Sequence, residues 1–142
     1  MRRERWIQRY FLSHPEEFKG RVITFESRLD AGEKVRRMDV TVGSVENMVY
    51  YEFKSVTNIP PKNFAEQFLK DLEIANDLSQ IKWYFDGRKI STLNKELFLE
   101  ELEELEIRRE LIEKWVGEAE KPSKESLLVF IEEHFDEIFK IK

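Results

Sequence analysis

Between Arg21 and Val56 the sequence alternates apolar and polar residues over three successive runs with turn chemistry between them, which commits the middle of the chain to an antiparallel sheet. From Arg21 to Leu29, Ile23, Phe25 and Leu29 fall on one side and Thr24, Glu26 and Arg28 on the other, the period of a half-buried strand. Asp30-Ala31-Gly32-Glu33 supplies a hairpin turn. A second strand follows over Val35 to Val42, then a turn over Gly43 to Asn47. The third strand, Met48 to Val56, carries the β-branched and aromatic residues that fit a pleated surface.

Asn58-Ile59-Pro60-Pro61 stops the sheet, and Asn63 with Glu66 three residues on suits the start of a helix over Phe64 to Leu78. Phe64, Phe68, Leu72 and Ala75 form its apolar stripe. Ile81 to Phe85 reads as a fourth strand, brought alongside the meander by that helical crossover and ended by Asp86-Gly87. Ahead of the sheet, Trp6, Ile7, Tyr10 and Phe11 recur at helical spacing with Arg2, Arg3, Arg5 and Arg9 on the remaining surface, and Ser13-His14-Pro15-Glu16 breaks that helix. Beyond Ser91, Lys95 to Val116 reads as one long acidic helix through Phe98, Leu102, Leu105, Ile112 and Val116. Gly117 to Pro122 is then a linker. Ser123 caps a last helix through Leu127, Phe130, Ile131, Phe135 and Ile138. The expectation is an α/β core over residues 1–90, ordered helix, three-strand antiparallel meander, helix, strand. An acidic α-helical extension over 91–142 packs on it.

At 142 residues and 41% hydrophobic, with 11 Phe and 3 Trp, the chain can bury one core. The absence of cysteine excludes disulfides, thiolate metal sites and a cysteine nucleophile. Apolar runs such as Leu127 to Ile131 are too short to span a bilayer, and no signal-type leader precedes the first helix, so the expectation is a soluble domain with no membrane partner. A net charge of −5 argues against nonspecific coating of nucleic acid, which draws on a Lys/Arg excess. The charge is uneven. Residues 1–90 hold 16 Lys and Arg against 14 Asp and Glu, whereas 91–142 hold 8 against 15, so the acidity belongs to the tail.

The chemistry concentrates in the second and third strands. Glu52 and Lys54 are two apart and share a face, and a suitable register would bring Asp39 of the neighbouring strand to the same side. Two carboxylates with an ammonium suit a hard cation such as Mg²⁺ or Mn²⁺, which takes oxygen ligands and keeps several waters. Asp39, Glu52 and the backbone carbonyl of Phe53 would be its protein ligands. The ion would lower the pKa of a bound water and offset the charge that develops at a phosphorus under attack. Lys54 would orient that water, and Gln67 on the following helix would fix the lysine, the water or a phosphate.

At Arg37-Met38-Asp39-Val40, Tyr51-Glu52-Phe53-Lys54 and Phe64-Ala65-Glu66-Gln67-Phe68-Leu69-Lys70-Asp71-Leu72 the chain resembles the PD-(D/E)XK nuclease superfamily, the restriction-endonuclease-like fold. The last segment is most similar to restriction-endonuclease-fold toxin domains of bacterial polymorphic and contact-dependent toxins. The resemblance covers about residues 20–86. It implies metal ligation by Asp39 and Glu52, catalysis by Lys54 with Gln67 in support, and a DNA or RNA substrate. It further implies a cytoplasmic site of action, export as part of a larger protein and a cognate immunity protein as inhibitor. Met38 stands where the family's eponymous proline would be. Glu16, Glu17 and Glu26 are the candidates for a first-helix metal ligand, with none assignable.

Each candidate also has a plain structural reading. Asp39, Glu52 and Lys54 could be cross-strand charge pairs on a solvated sheet face. Arg36, Arg37, Lys62 and Lys70 could hold phosphates or be ordinary surface cations. Asp71 is either a partner for Lys54 or a surface acid. Trp83 and Tyr84 are expected in the core rather than stacked on a base. His14 and His134, the only histidines, are far apart in sequence and do not suggest zinc or a histidine base. The competing class is a non-catalytic acidic binding module of immunity or regulatory type with a nuclease-like fold. Homodimerisation is open on the sequence.

Overall fold

The alternating runs form strands. In the computed structural model β1 (Ile23–Ala31), β2 (Lys34–Val42) and β3 (Val49–Lys54) make an antiparallel meander. The structure describes residues 2–18, 20–31, 34–43, 48–57, 61–117 and 121–142, and the side chains of 2–5, 25–31, 34–39, 61 and 62 lie outside the described set. β1 lies further along the chain than the alternation suggests because its ladder continues to Ala31↔Lys34, drawing Asp30 and Ala31 out of the turn and into the hairpin. β3 closes at Lys54 rather than Val56.

The crossover also forms. α3 (Pro61–Ile74) carries the chain to β4 (Ile81–Phe85), which pairs parallel with β3 from Tyr50↔Ile81 to Lys54↔Phe85. α3 begins at Pro61, which suits a first helical position because its missing N–H needs no partner there. Asn63 is therefore inside the helix, not the cap, a correction to the sequence reading. α3 also ends earlier than Leu78. Asp77 instead caps a 3₁₀ turn, Leu78–Gln80, whose Gln80 amide donates to the Met48 carbonyl at 2.9 Å and ties the turn to the start of β3.

The C-terminal part departs most from expectation. The predicted helix over Lys95 to Val116 is two helices, α4 (Lys95–Glu104) and α5 (Arg109–Val116). Glutamates crowd the last turns of α4, where the helix dipole disfavours negative charge, and Leu105 leaves the helix with ψ 150. The freed carbonyls of Glu103 and Leu105 accept from the Lys124 ammonium, the latter at 2.6 Å. The last helix is likewise divided, into α6 (Lys124–Glu133), capped by Ser123 as expected, and α7 (Phe135–Ile138). The chain then forms β5 (Phe139–Ile141), which pairs parallel with β4. The extension is therefore not all helical: it contributes an edge strand to a five-stranded mixed sheet ordered β1-β2-β3-β4-β5. Gly87 permits the closure. Its N–H donates to the Lys142 carbonyl at 3.0 Å, and a Cβ there would meet that oxygen at 2.9 Å.

Each sheet face has its own core. On one side α1 (Arg2–Ser13) and α2 (Pro15–Phe18) pack Trp6, Ile7, Tyr10 and Phe18 against Val40, Val42, Tyr51, Phe53 and Tyr84. On the other, α3 to α7 cover Tyr50, Ile81, Trp83, Phe85 and Phe139, all in one apolar cluster. Phe68 and Phe98 lie against Phe139, with ring centroids 5.2 and 5.0 Å away. Among the described residues no helix is long and apolar enough to cross a membrane.

Candidate active site

β3 alternates between these cores. Tyr51 and Phe53 face α1, so Glu52 and Lys54 face α3. Both are covered, with 3% and 8% of their surface exposed, which removes the reading of a solvated charge pair. The Lys54 ammonium lies 2.8 Å from Glu52 Oε1 and donates to Gln67 Oε1 at 2.8 Å. It also sits over the rings of Phe64 and Trp83, 4.7 and 5.3 Å from their centroids. The lysine is thus fixed by a full charge, an amide oxygen and two aromatic faces.

Helix α3 supplies the second half of this arrangement at four-residue spacing. Asn63 Oδ1 accepts from Gln67 Nε2 at 3.4 Å, which turns the amide oxygen of Gln67 toward the lysine. One turn further along, Asp71 is 1% exposed and accepts from Trp83 Nε1 at 2.7 Å. Asp71 is thus not a surface acid. Asn63, Gln67 and Asp71 recur at i, i+4 and i+8, which puts them on one helix face; that spacing was a signal in the sequence for the whole row. Phe64 and Trp83 lie in the core as expected and in addition face the Lys54 ammonium. Tyr84 is in the core as expected.

Asp39 lies on β2, whose pairing with β3 runs from Val42↔Val49 to Val40↔Tyr51. Continued by one residue beyond its last pair, this backbone register would set position 39 level with Glu52. The Asp39 side chain is outside the described residues, as are those of Arg36, Arg37, Lys62 and Glu26. Lys70 is half-buried on α3. No group of three or more acidic or histidine side chains gathers as a metal cage among the described residues. The donors that are described, the Glu52 carboxylate and the Phe53 backbone oxygen, are of the hard type that suits a magnesium-like ion retaining much of its water.

The first-helix acids belong elsewhere. Glu16 is exposed, and Glu17 lies on the opposite sheet face from Glu52, accepting from Tyr10 Oη at 3.1 Å and Tyr84 Oη at 3.2 Å. Burial, reinforced by the negative charge of Glu17, pushes the pKa values of Tyr10, Tyr51 and Tyr84 well up. Burial also raises that of Tyr50, on the α3 side. The histidines do not meet: His14 stacks on Tyr10 with centroids 4.0 Å apart, and His134 contacts Glu137 at 3.0 Å. No family model, no curated protein and no solved structure matches the chain.

Proposed function

We propose that the chain is a metal-dependent nuclease whose site is Asp39, Glu52, Lys54 and Gln67, with a restriction-endonuclease-like core and a role as an antagonistic toxin domain. The observation that carries this reading is the convergence of Glu52, Lys54 and Gln67, from a strand and the crossover helix behind it, within a pocket that excludes most water. The element order α1, β1, β2, β3, α3, β4 supports it further, as does a β2–β3 register that ends at Val40↔Tyr51 and would set position 39 level with Glu52 if continued by one residue.

In this reading Asp39, Glu52 and the Phe53 carbonyl would hold Mg²⁺ or Mn²⁺, and the ion when bound would supply Lewis acidity at phosphorus and a more acidic water. Lys54, fixed by Gln67 and the aromatic pocket, would orient the attacking water and offset phosphate charge. Gln67 positions the lysine. Preorganisation of this kind costs nothing at the moment of reaction, because the donors are already aimed.

The test is cleavage of DNA, RNA and tRNA by purified protein with Mg²⁺ or Mn²⁺. Wild type should cut at least one substrate, and Lys54→Ala and Glu52→Gln should each lose about 100-fold or more. Variants that keep the wild-type circular dichroism separate lost chemistry from lost fold. Cleavage of none of the substrates, or full activity in Lys54→Ala, sinks the proposal. The acidic binding module is the competing reading, favoured by how completely the Lys54 ammonium is already enclosed. Under it, neither ion would raise the melting temperature. A rise that disappears in Glu52→Gln would favour the nuclease.

A further inference from the structure

The β4–β5 end of the α1 face gathers cations that the candidate site does not use. Lys82 precedes Tyr84 by two residues on β4 and therefore shares its face, and Tyr84 pairs in register with Lys140 of β5. Lys142 is two beyond Lys140, about 6.6 Å along a strand. Its ammonium sits over the Tyr84 ring, 4.9 Å from the centroid. Arg21 joins this face from the β1 side, where α2 ends, its backbone N–H donating to the Phe18 carbonyl at 3.2 Å; Arg21, Lys140 and Lys142 are exposed, and Lys82 is half-buried. Glu17, the acid that acts on Lys82, accepts from Tyr10 and Tyr84, and Asp86 is held by Arg88 at 2.7 Å.

We propose that Arg21, Lys82, Lys140 and Lys142 form a surface for the phosphate backbone of nucleic acid, on the sheet face opposite the Glu52 and Lys54 pocket.

Protection of a sheet edge is the simplest use of lysines on β5. It does not account for Lys82, which lies on an inner strand; burial pulls its pKa down, the Glu17 charge pushes it part of the way back, and Lys140, Lys142 and Arg21 lower it. Like charges held together against that opposition create a local field which a polyanion relieves. An acidic protein partner fits less well, because protein interfaces are built around buried apolar anchors. Among the described residues the exposed large apolar side chains are Leu12, Val22, Leu97 and Val129, and of these only Val22 adjoins one of the four cations in sequence. A surface built around four cations matches the strongly cationic character of nucleic-acid interfaces. This surface does not depend on whether the β3 site cuts.

Binding of labelled single-stranded and duplex oligonucleotides, followed by fluorescence anisotropy in EDTA at low salt, tests this without involving metal-dependent chemistry. Wild type should bind, with affinity falling as salt rises. The triple variant Arg21→Glu, Lys140→Glu, Lys142→Glu should bind at least about tenfold more weakly. Its log-log salt slope should be smaller by about two to three, since each phosphate contact contributes about 0.7 to 0.9. A control with Lys95→Glu and Lys121→Glu, the same kind of charge reversal on the helical extension, should bind as wild type. Absence of wild-type binding to either oligonucleotide overturns the proposal, as does equal binding by the triple variant or an equal loss in the control. Polyglutamate binding as tight as nucleic acid would overturn the assignment of the partner.

Discussion

Each face of the sheet covers a carboxylate, and the two are held in opposite ways. Glu52, beneath α3, meets the full charge of Lys54 at 2.8 Å. Glu17, on α2 at the α1 face, meets the neutral hydroxyls of Tyr10 and Tyr84 at 3.1 and 3.2 Å. Neutral donors suffice to fasten a helix to a sheet. Burying an ammonium with a carboxylate takes two ions out of water, a cost that often exceeds their attraction. The α1 side is thus what anchoring alone requires. The α3 side holds more buried charge than anchoring alone requires.

The sharpest way to break this comparison is to remove one charge. Lys54→Met keeps the side-chain bulk but leaves the Glu52 carboxylate without its ammonium, and should destabilise the fold by about 3 to 5 kcal/mol. Glu52→Leu should cost a similar amount, because the lysine loses its counter-charge. The double variant should recover most of the loss, since an apolar pair of similar volume carries no desolvation cost. Urea unfolding of all three decides the matter. If the double variant is no better than the singles, the pair is not the unit that matters.

Alkaline pH probes the other face. Tyr10, Tyr51 and Tyr84 have folded pKa values raised above the usual tyrosine value of about 10, so the folded state keeps protons that the unfolded chain gives up. Their contribution is fully present below about pH 10 and is lost as pH rises from there through the folded pKa values. Stability should fall above about pH 10 by up to about 1.4 kcal/mol per pH unit for each tyrosine. Lys82 and Lys114, whose pKa values burial lowers, act in the opposite direction, their penalty being relieved as pH rises. Melting temperatures across that range should therefore drop less steeply in Tyr10→Phe than in wild type.

The comparison also shows what the sequence could carry. The meander and crossover were legible because their periods are unmistakable and their turns are marked. The pairing of Glu52 with Lys54 was legible as a shared face because spacing along one strand decides it, whereas Gln67 was open to the lysine, a water or a phosphate until the packing of α3 on β3 brought it to Lys54. What escaped depends on meetings between distant segments. β5 offers only Phe139-Lys140-Ile141, too short for alternation to outweigh the helical spacing of Phe135, Ile138 and Phe139. The division of α4 from α5 rests partly on Lys124, which reaches carbonyls about twenty residues back in the chain. Glu17 looked like one of several acids near a first helix, and only the register of β3 and β4 shows that it faces away from Glu52.

The smallest effects give the finest comparison, because Trp83 and Tyr84 are neighbours on β4 that each donate one hydrogen bond to an acid on opposite faces. Trp83→Phe takes from buried Asp71 a donor held at 2.7 Å and should cost about 2 to 3 kcal/mol, since bonds to charged groups are the stronger ones and the smaller ring leaves space. Tyr84→Phe should cost only about 1 kcal/mol near neutral pH, because Glu17 keeps the Tyr10 hydroxyl and the ring stays in place. The two losses should then diverge with pH. Tyr84 stabilises only while protonated, so the cost of Tyr84→Phe should shrink as pH rises past about 10, whereas that of Trp83→Phe should not move, the indole being unable to titrate. Urea midpoints for both variants at neutral pH and above pH 10 measure this directly. A Tyr84→Phe cost that holds steady into the alkaline range would mean that its hydroxyl proton is not held by the fold, and the contrast between the faces would fail at its most exact point.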